Sequence, residues 1–356
     1  MDHHNAQVGW TEAQWNRVRE EVLQAWQRVR VAGSFLPIYS RLPPSTQVVP
    51  SEVLKSDCSV DDEATASLLE IALPVRLSRQ QVMEEDLSSA LLQFRRRATQ
   101  LGQLEDWYIF NGTYPSRDLT VAGRIEFEAD KKDGLPDYRP ALDHLNNSDS
   151  SQRAHISGTP KSIEGLSHDN HVKNMRLQNP GSLGLIEGSS VQQQQDAREA
   201  ARALQAQDPD NNKLIQATII NGINSLENSG YVAPYVCAFG REPFQEAFTP
   251  VDNSTVLPRD RIEPLIGREL LHASGIDIPP YESGRYQNLN KEDWPKRGVL
   301  LSMADEPVDL ALAAEATVEF RRMDLGGKYV FFVFERFALR IKDAQAIVPM
   351  VFDFRR

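Results

Sequence analysis

The chain has 356 residues and a formal net charge of −11, with 50 acidic against 39 basic side chains. Such a field repels phosphate backbones and argues against a primary nucleic-acid binder. A composition of 40% hydrophobic and 25% charged residues is that of a globular protein able to bury a core, with room for two domains of about 150 residues. No run approaches the roughly 18 apolar residues of a membrane span. The opening MDHHNAQVGWTEAQW has neither the basic nor the apolar region of a signal peptide, so a cytoplasmic protein is expected. The two cysteines, Cys58 and Cys237, stand in different contexts. A disulfide between them is open, but isolated thiols in a cytosolic chain are usually buried small residues.

The first element is an amphipathic helix, in which Trp15, Val18, Val22, Trp26 and Val29 recur at spacings of four and three. Thr11 and Gln14 form a capping box, and Gly33 fits the residue that stops the helix. Residues 34–66, rich in Pro, Ser and Asp, read as a long extended arm. SLLEIALPVRL (67–77) is a strand, and residues 78–110 read as one continuous helix with Leu87, Leu91, Phe94, Ala98 and Leu101 in register. At about 1.5 Å per residue that helix exceeds about 40 Å, more than a small domain needs, and reads as a spine.

From residue 113 the character changes, and 113–181 reads as an insertion with one hairpin, LTVAGRIEF, in a largely irregular excursion. Helices are expected in VQQQQDAREAARALQAQ and in NNKLIQATIINGINSLENSG, the second ending at Gly230. A buried strand follows in YVAPYVCAFG, then a helix in REPFQEAF, a polar loop TPVDNSTVLP, and a helix and turn in RDRIEPLIGRELLHASGIDIPP. RGVLLSMADEPVDLALAAEATVEFRR reads as strand, turn, strand. In the closing FFVFERFALRIKDAQAIVPMVF, Phe337, Leu339 and Ile341 alternate with Arg336, Arg340 and Lys342, the period of a half-buried strand. Asp343 breaks it, and a second apolar run begins at Ala346. Interleaved helices and late, antiparallel strands make the fold class α+β.

The search for chemistry returns little. Glycine-rich phosphate loops and the G-x-S-x-G elbow are absent. His168, Asp169 and His171 in SHDNHVKN could share a metal but lack an evident third ligand, and a solvated loop is the plainer reading. QDPDNN (207–212) lacks the glycine and the terminal glutamate of a calcium loop. Glu105 and Asp106 are neighbours that point different ways on a helix and read as a solvated face. Arg95, Arg96 and Arg97 read as partners for acids on this or a neighbouring subunit rather than as a phosphate site. No catalytic residue, metal site or cofactor is assigned.

Six segments together resemble the encapsulins, the linocin-type bacteriocin family. TEAQWNRVREEVLQAWQRVRVAG resembles that family's N-terminal helix, and FLPIYSRLPPSTQVVP the segment that follows it. LPVRLSRQQVMEEDLSSALLQFRRRATQLGQLEDWYIFNG is similar to its strand and spine helix, through Glu105, Asp106, Ile109, Phe110, Asn111 and Gly112. NGINSLENSGYVAPYVCAFG, RGVLLSMADEPVDLALAAEATVEF and FERFALRIKDAQAIV follow in the family's order.

The resemblance implies the Hong Kong 97 phage major capsid-like fold. Its peripheral domain would take the N-terminal helix (1–33), the spine helix (71–112) and a terminal antiparallel sheet (309–356). Residues 34–70 would be the extended loop, 113–181 the insertion and 182–308 the axial domain. The protein would be a shell subunit that assembles with itself into a closed icosahedral cage, through repeated contacts whose rotations close. The cage would enclose a cargo enzyme bearing a C-terminal targeting peptide, such as a ferritin-like protein or a peroxidase, with no membrane or nucleic-acid partner.

By the same resemblance that peptide would dock on Trp26, Val29, Phe35, Leu36, Ile38, Tyr39, Val318 and Phe320, each pocketed large side chain stabilising by ~1.5–3 kcal/mol. Pro37 stands where relatives often have an acid and Glu319 where a small residue is common, which points to a different peptide preference. Asp252, Asn253, Ser254 and Thr255 would line a polar, mildly acidic fivefold pore suited to cations such as iron. A major capsid protein of a prophage or virus is the other reading with the same fold.

Overall fold

The computed structural model describes residues 8–54, 59–62, 64–111, 155–157, 185–186, 211–250, 255–277 and 296–352. In chain order these form helix α1 (Glu12–Gln27) and then strands β1 (Ile38–Arg41), β2 (Val48–Pro50), β3 (Val53–Leu54), β4 (Val60–Asp61), β5 (Thr65–Ser67) and β6 (Leu69–Leu77). Helices α2 (Arg79–Met83) and α3 (Ser88–Asn111) follow, then β7 (His155–Ser157), α4 (Asn211–Asn228), β8 (Tyr235–Phe239), α5 (Arg241–Ala247), α6 (Pro258–Ile266) and β9 (Leu271–His272). The chain closes with β10 (Lys296–Ser302), β11 (Val308–Met323), β12 (Tyr329–Ile341) and β13 (Ile347–Phe352). Most of the insertion, including the hairpin and the His168, Asp169 and His171 cluster, lies outside the described residues, as do residues 191–207 and Cys58.

The fold is α+β, with two main sheets. One runs β1-β11-β12-β6-β7, antiparallel except that β1 lies parallel to β11. The other runs β13-β10-β8-β9, antiparallel except for β8 with β9. The final apolar run therefore does not extend the first sheet. Asp343 accepts from the Gln345 N–H, the chain turns at Ala344–Ala346, and β13 pairs with β10 in the second sheet.

Helices α1 and α3 cover one face of the first sheet. The capping box expected at Thr11 and Gln14 is formed, and Trp15, Val18, Val22, Ala25 and Trp26 are buried. They meet Leu91, Phe94, Ala98 and Leu101 of α3 and the odd-numbered side chains of β12, with Phe331 stacked on Trp10 at 5.1 Å and edge-on to Phe94 at 5.4 Å.

Two helix limits differ from the sequence expectation. The spine is interrupted, because α2 ends at Met83 and the carboxylates of Glu84 and Asp86 accept the Ser89 and Ser88 N–H groups, beginning α3 afresh. Helix α1 ends at Gln27 rather than near Gly33. The chain from Val31 is held instead by Asp106, whose carboxylate accepts the Val31 and Ala32 N–H groups, and a 3-10 turn follows at Ala32–Ser34.

The second sheet is buried on both faces. Val236, Ala238, Val299, Leu301 and Ile347 join the core beneath α3, while Cys237, Phe239, Leu300, Met350 and Phe352 pack against α4 and α6. Cys237 is a free thiol there. Among the described residues, no helix is long and apolar enough to cross a membrane.

Candidate functional site

The expected peptide site lies where the chain leaves α1 and enters the arm. After the 3-10 turn, Leu36 N–H returns to the Ala32 carbonyl, and Pro37 O accepts from Leu310 N–H at 2.9 Å. That bond starts β1 alongside β11, with Ile38 opposite Leu310 and Arg41 opposite Leu312. Trp26, Phe35, Leu36, Val318 and Phe320 are buried, Phe35 lying 6.5 Å from Phe110 and Phe320 5.3 Å from Phe331. Val29 is half-buried, while Ile38 and Tyr39 are 47% and 51% exposed. Of the eight side chains, then, two form open surface, one is partly open, and five belong to the core beneath. Of the expected pore residues, Asp252, Asn253 and Ser254 lie outside the described residues, and Thr255 is exposed just before α6.

Tyr39 does not stand alone. Its ring lies 3.3 Å from the centre of the Arg340 guanidinium, which binds both oxygens of Asp309 at 2.6 Å and donates to Pro50 O at 2.8 Å. Lys342 also reaches Asp309, at 3.2 Å. Arg336 donates to the carbonyls of Pro44 and Thr46. These cations hold the arm across the second face of the first sheet. Beneath it Val49, Ala66 and Leu68 pack on Ala311, Ala313 and Ala338. The face that alternation marks as solvated is thus covered by the chain's own residues 42–50 and 66–68.

A second polar group departs from the sequence expectation. Glu105 and Asp106 are buried rather than solvated, at 0% and 4% exposure. Glu105 pairs with Arg30 at 2.5 Å, and the Arg30 guanidinium lies 3.9 Å over the Trp26 ring. Glu335, on the helix-facing side of β12 between Val333 and Phe337, is 1% exposed and faces the same group. Neither of its oxygens reaches a hydrogen-bond partner, nor does Glu105 Oε2 or Trp26 Nε1.

Burial pushes the Glu105 carboxyl up against the pull of Arg30. It pushes Glu335 well up, with Glu105 adding to the effect. Burial and Glu105 push Asp106 up to about 8, against the two backbone N–H groups it accepts. The sequence carries a signal for this group. Glu105 continues the stripe of Leu91, Phe94, Ala98 and Leu101 at the same alternating spacing of three and four, and Glu335 is in phase with Phe337 and Leu339.

Elsewhere Arg95 pairs with Glu21 of α1 at 2.7 Å, in keeping with acid pairing for that arginine run. Among the described residues no group of three or more His, Cys, Asp or Glu side chains is placed to hold a metal ion.

The chain is similar to solved shell proteins. A virus-like particle from Pyrococcus furiosus superposes with a TM-score of 0.52 at 11% identity, over 96% of this chain and 100% of that one. The holo-SrpI encapsulin complex from Synechococcus elongatus gives 0.43 at 9% identity, over 93% and 92%. The capsid of an empty GTA particle gives 0.45 at 12% identity, over 91% and 90%. No family model and no curated protein matches the chain. The first of these likenesses carries the fold: the chain has the Hong Kong 97 phage-capsid fold.

Proposed function

We propose that this chain is the shell subunit of an encapsulin nanocompartment, assembling with itself into a closed icosahedral cage in the cytoplasm. The observation that carries the reading is the likeness to a virus-like particle subunit over nearly all of both chains. Helix α1 supports the encapsulin branch, because it is built into the core beneath the first sheet. In this reading residues 1–33, 71–112 and 309–346 build the peripheral domain, 34–70 the extended loop, and the second sheet with α4, α5 and α6 the axial domain. Chemistry belongs to the cargo, a ferritin-like protein or a peroxidase serving iron storage or oxidative-stress defence.

The cargo's C-terminal peptide lies on Ile38, Tyr39 and Val29, over a floor of Trp26, Phe35, Leu36, Val318 and Phe320. An apolar peptide residue seated there gains ~1.5–3 kcal/mol, enough for reversible loading of many weak sites in one cage. Residues 252–255 line the pore. Particles purified from the native host test this reading. A co-purifying enzyme at constant ratio and no nucleic acid support it, whereas particles filled with DNA assign the chain to a prophage or virus as its major capsid protein.

A further inference from the structure

The junction of α1, α3 and β12 holds three buried carboxyl groups, Glu105, Asp106 and Glu335, and one cation, Arg30. If all three acids were ionised, two net negative charges would stand in a space closed to water. Opposite charge within reach stabilises a buried carboxylate, and each acid without such a partner keeps its proton instead. The partners decide which acid is which. Glu105 has the guanidinium at 2.5 Å. Asp106 has the Val31 and Ala32 N–H groups at 2.8 and 2.9 Å. Glu335 has neither: both oxygens are sealed from solvent and outside full hydrogen-bonding geometry, with the Trp26 indole N–H the one neutral donor acting on them and Glu105, Arg30 and Asp106 the charges they feel. Across the sheet its cross-strand neighbour on β6 is Ile71, and on β11 it lies beside the bulge between Ala314 and Thr317, which carries Glu315, 35% exposed in its side chain.

We infer that Glu335 is a proton-operated latch, closed while it holds a proton and opened when the proton leaves. On closing, α1 and residues 30–36 lie fast against α3 and β12. On opening, a second uncompensated charge beside Glu105 drives the Arg30-to-Leu36 segment off the spine, and with it the start of β1. The sign follows from proton linkage. The folded chain holds this proton more tightly than the unfolded chain, so the contribution to stability is full below about pH 4.3 and is lost as pH rises through the folded value. Asp106, pushed up to about 8, drains in the same direction.

The test is Glu335→Gln, which keeps the shape of the neutral acid and cannot ionise. Thermal unfolding of the full chain is followed from pH 5 to pH 9, together with hydrogen exchange at Val31 and Ala32 corrected for intrinsic rates. The wild type is expected to lose midpoint temperature toward pH 9, with exchange at the two amides rising at least tenfold. The variant should come nearest to it at pH 5, exceed it increasingly toward pH 9, and show no such rise. Arg30→Met, which removes the one cation, should steepen the pH dependence and shift it to higher pH, because Arg30 favours the ionised form of all three acids. Parallel profiles for wild type and Glu335→Gln overturn the latch. So does a variant less stable at every pH or unable to fold at pH 5, since glutamine reproduces the protonated side chain.

Discussion

Arg340 closes on Asp309 with both arms of its guanidinium, 2.6 Å to each carboxylate oxygen, on a sheet face covered by the chain's own arm. Breaking a buried pair strands a charge, at a cost of roughly 3–5 kcal/mol. Here Lys342 remains at 3.2 Å as a partial counterion, which favours the lower end of that range. Arg340→Ala is therefore expected to destabilise by about 3 kcal/mol, read from denaturant unfolding, and to open the covering segment around Pro50 to protease. The double change Asp309→Asn with Arg340→Met should recover most of the loss, since no uncompensated charge is left.

The arm marks the limit of what the sequence makes legible. Strands β8, β10, β11 and β12, helices α1, α4, α5 and α6 and the capping box at Thr11 all follow from period and punctuation, because those signals are local. Alternation at Arg336, Arg340 and Lys342 says only that this side is polar. It cannot tell water from a covering strand 290 residues away whose carbonyls bind the same guanidinium groups. The break before α3 escapes the sequence for a different reason: the apolar period runs on past Glu84 and Asp86, and only their carboxylates, accepting the Ser89 and Ser88 N–H groups, show that a new helix begins. Glu105 and Glu335 fit the apolar period, but their chemical type argues the other way, since buried acids are rare.

Gly102 lets α1 and α3 cross closely. A Cβ there would lie 2.7 Å from Val29 Cγ2 and 3.1 Å from the Trp26 carbonyl oxygen. Alanine gains up to about 1 kcal/mol of helix propensity, but overpacking against a backbone oxygen costs about 1–3 kcal/mol. Since that oxygen belongs to the end of α1 and has little freedom to move, Gly102→Ala is expected to lower stability by about 1–2 kcal/mol in thermal or denaturant unfolding.

Ile38 is the cleanest probe of cargo docking. Its side chain is 47% exposed on β1, so a charge there leaves the core intact, whereas Tyr39 also stacks on Arg340. Ile38→Asp removes an apolar contact of ~1.5–3 kcal/mol, a tenfold or greater loss of affinity. Particles should form in normal yield with at least about tenfold less cargo per shell, measured by the cargo-to-shell ratio after purification.

The central claim is that the chain builds a closed cage by itself. Negative-stain electron microscopy of the chain expressed alone, after size-exclusion chromatography, tests it most directly. The account predicts uniform hollow spheres free of nucleic acid. A soluble monomer or dimer under the same conditions would contradict autonomous assembly.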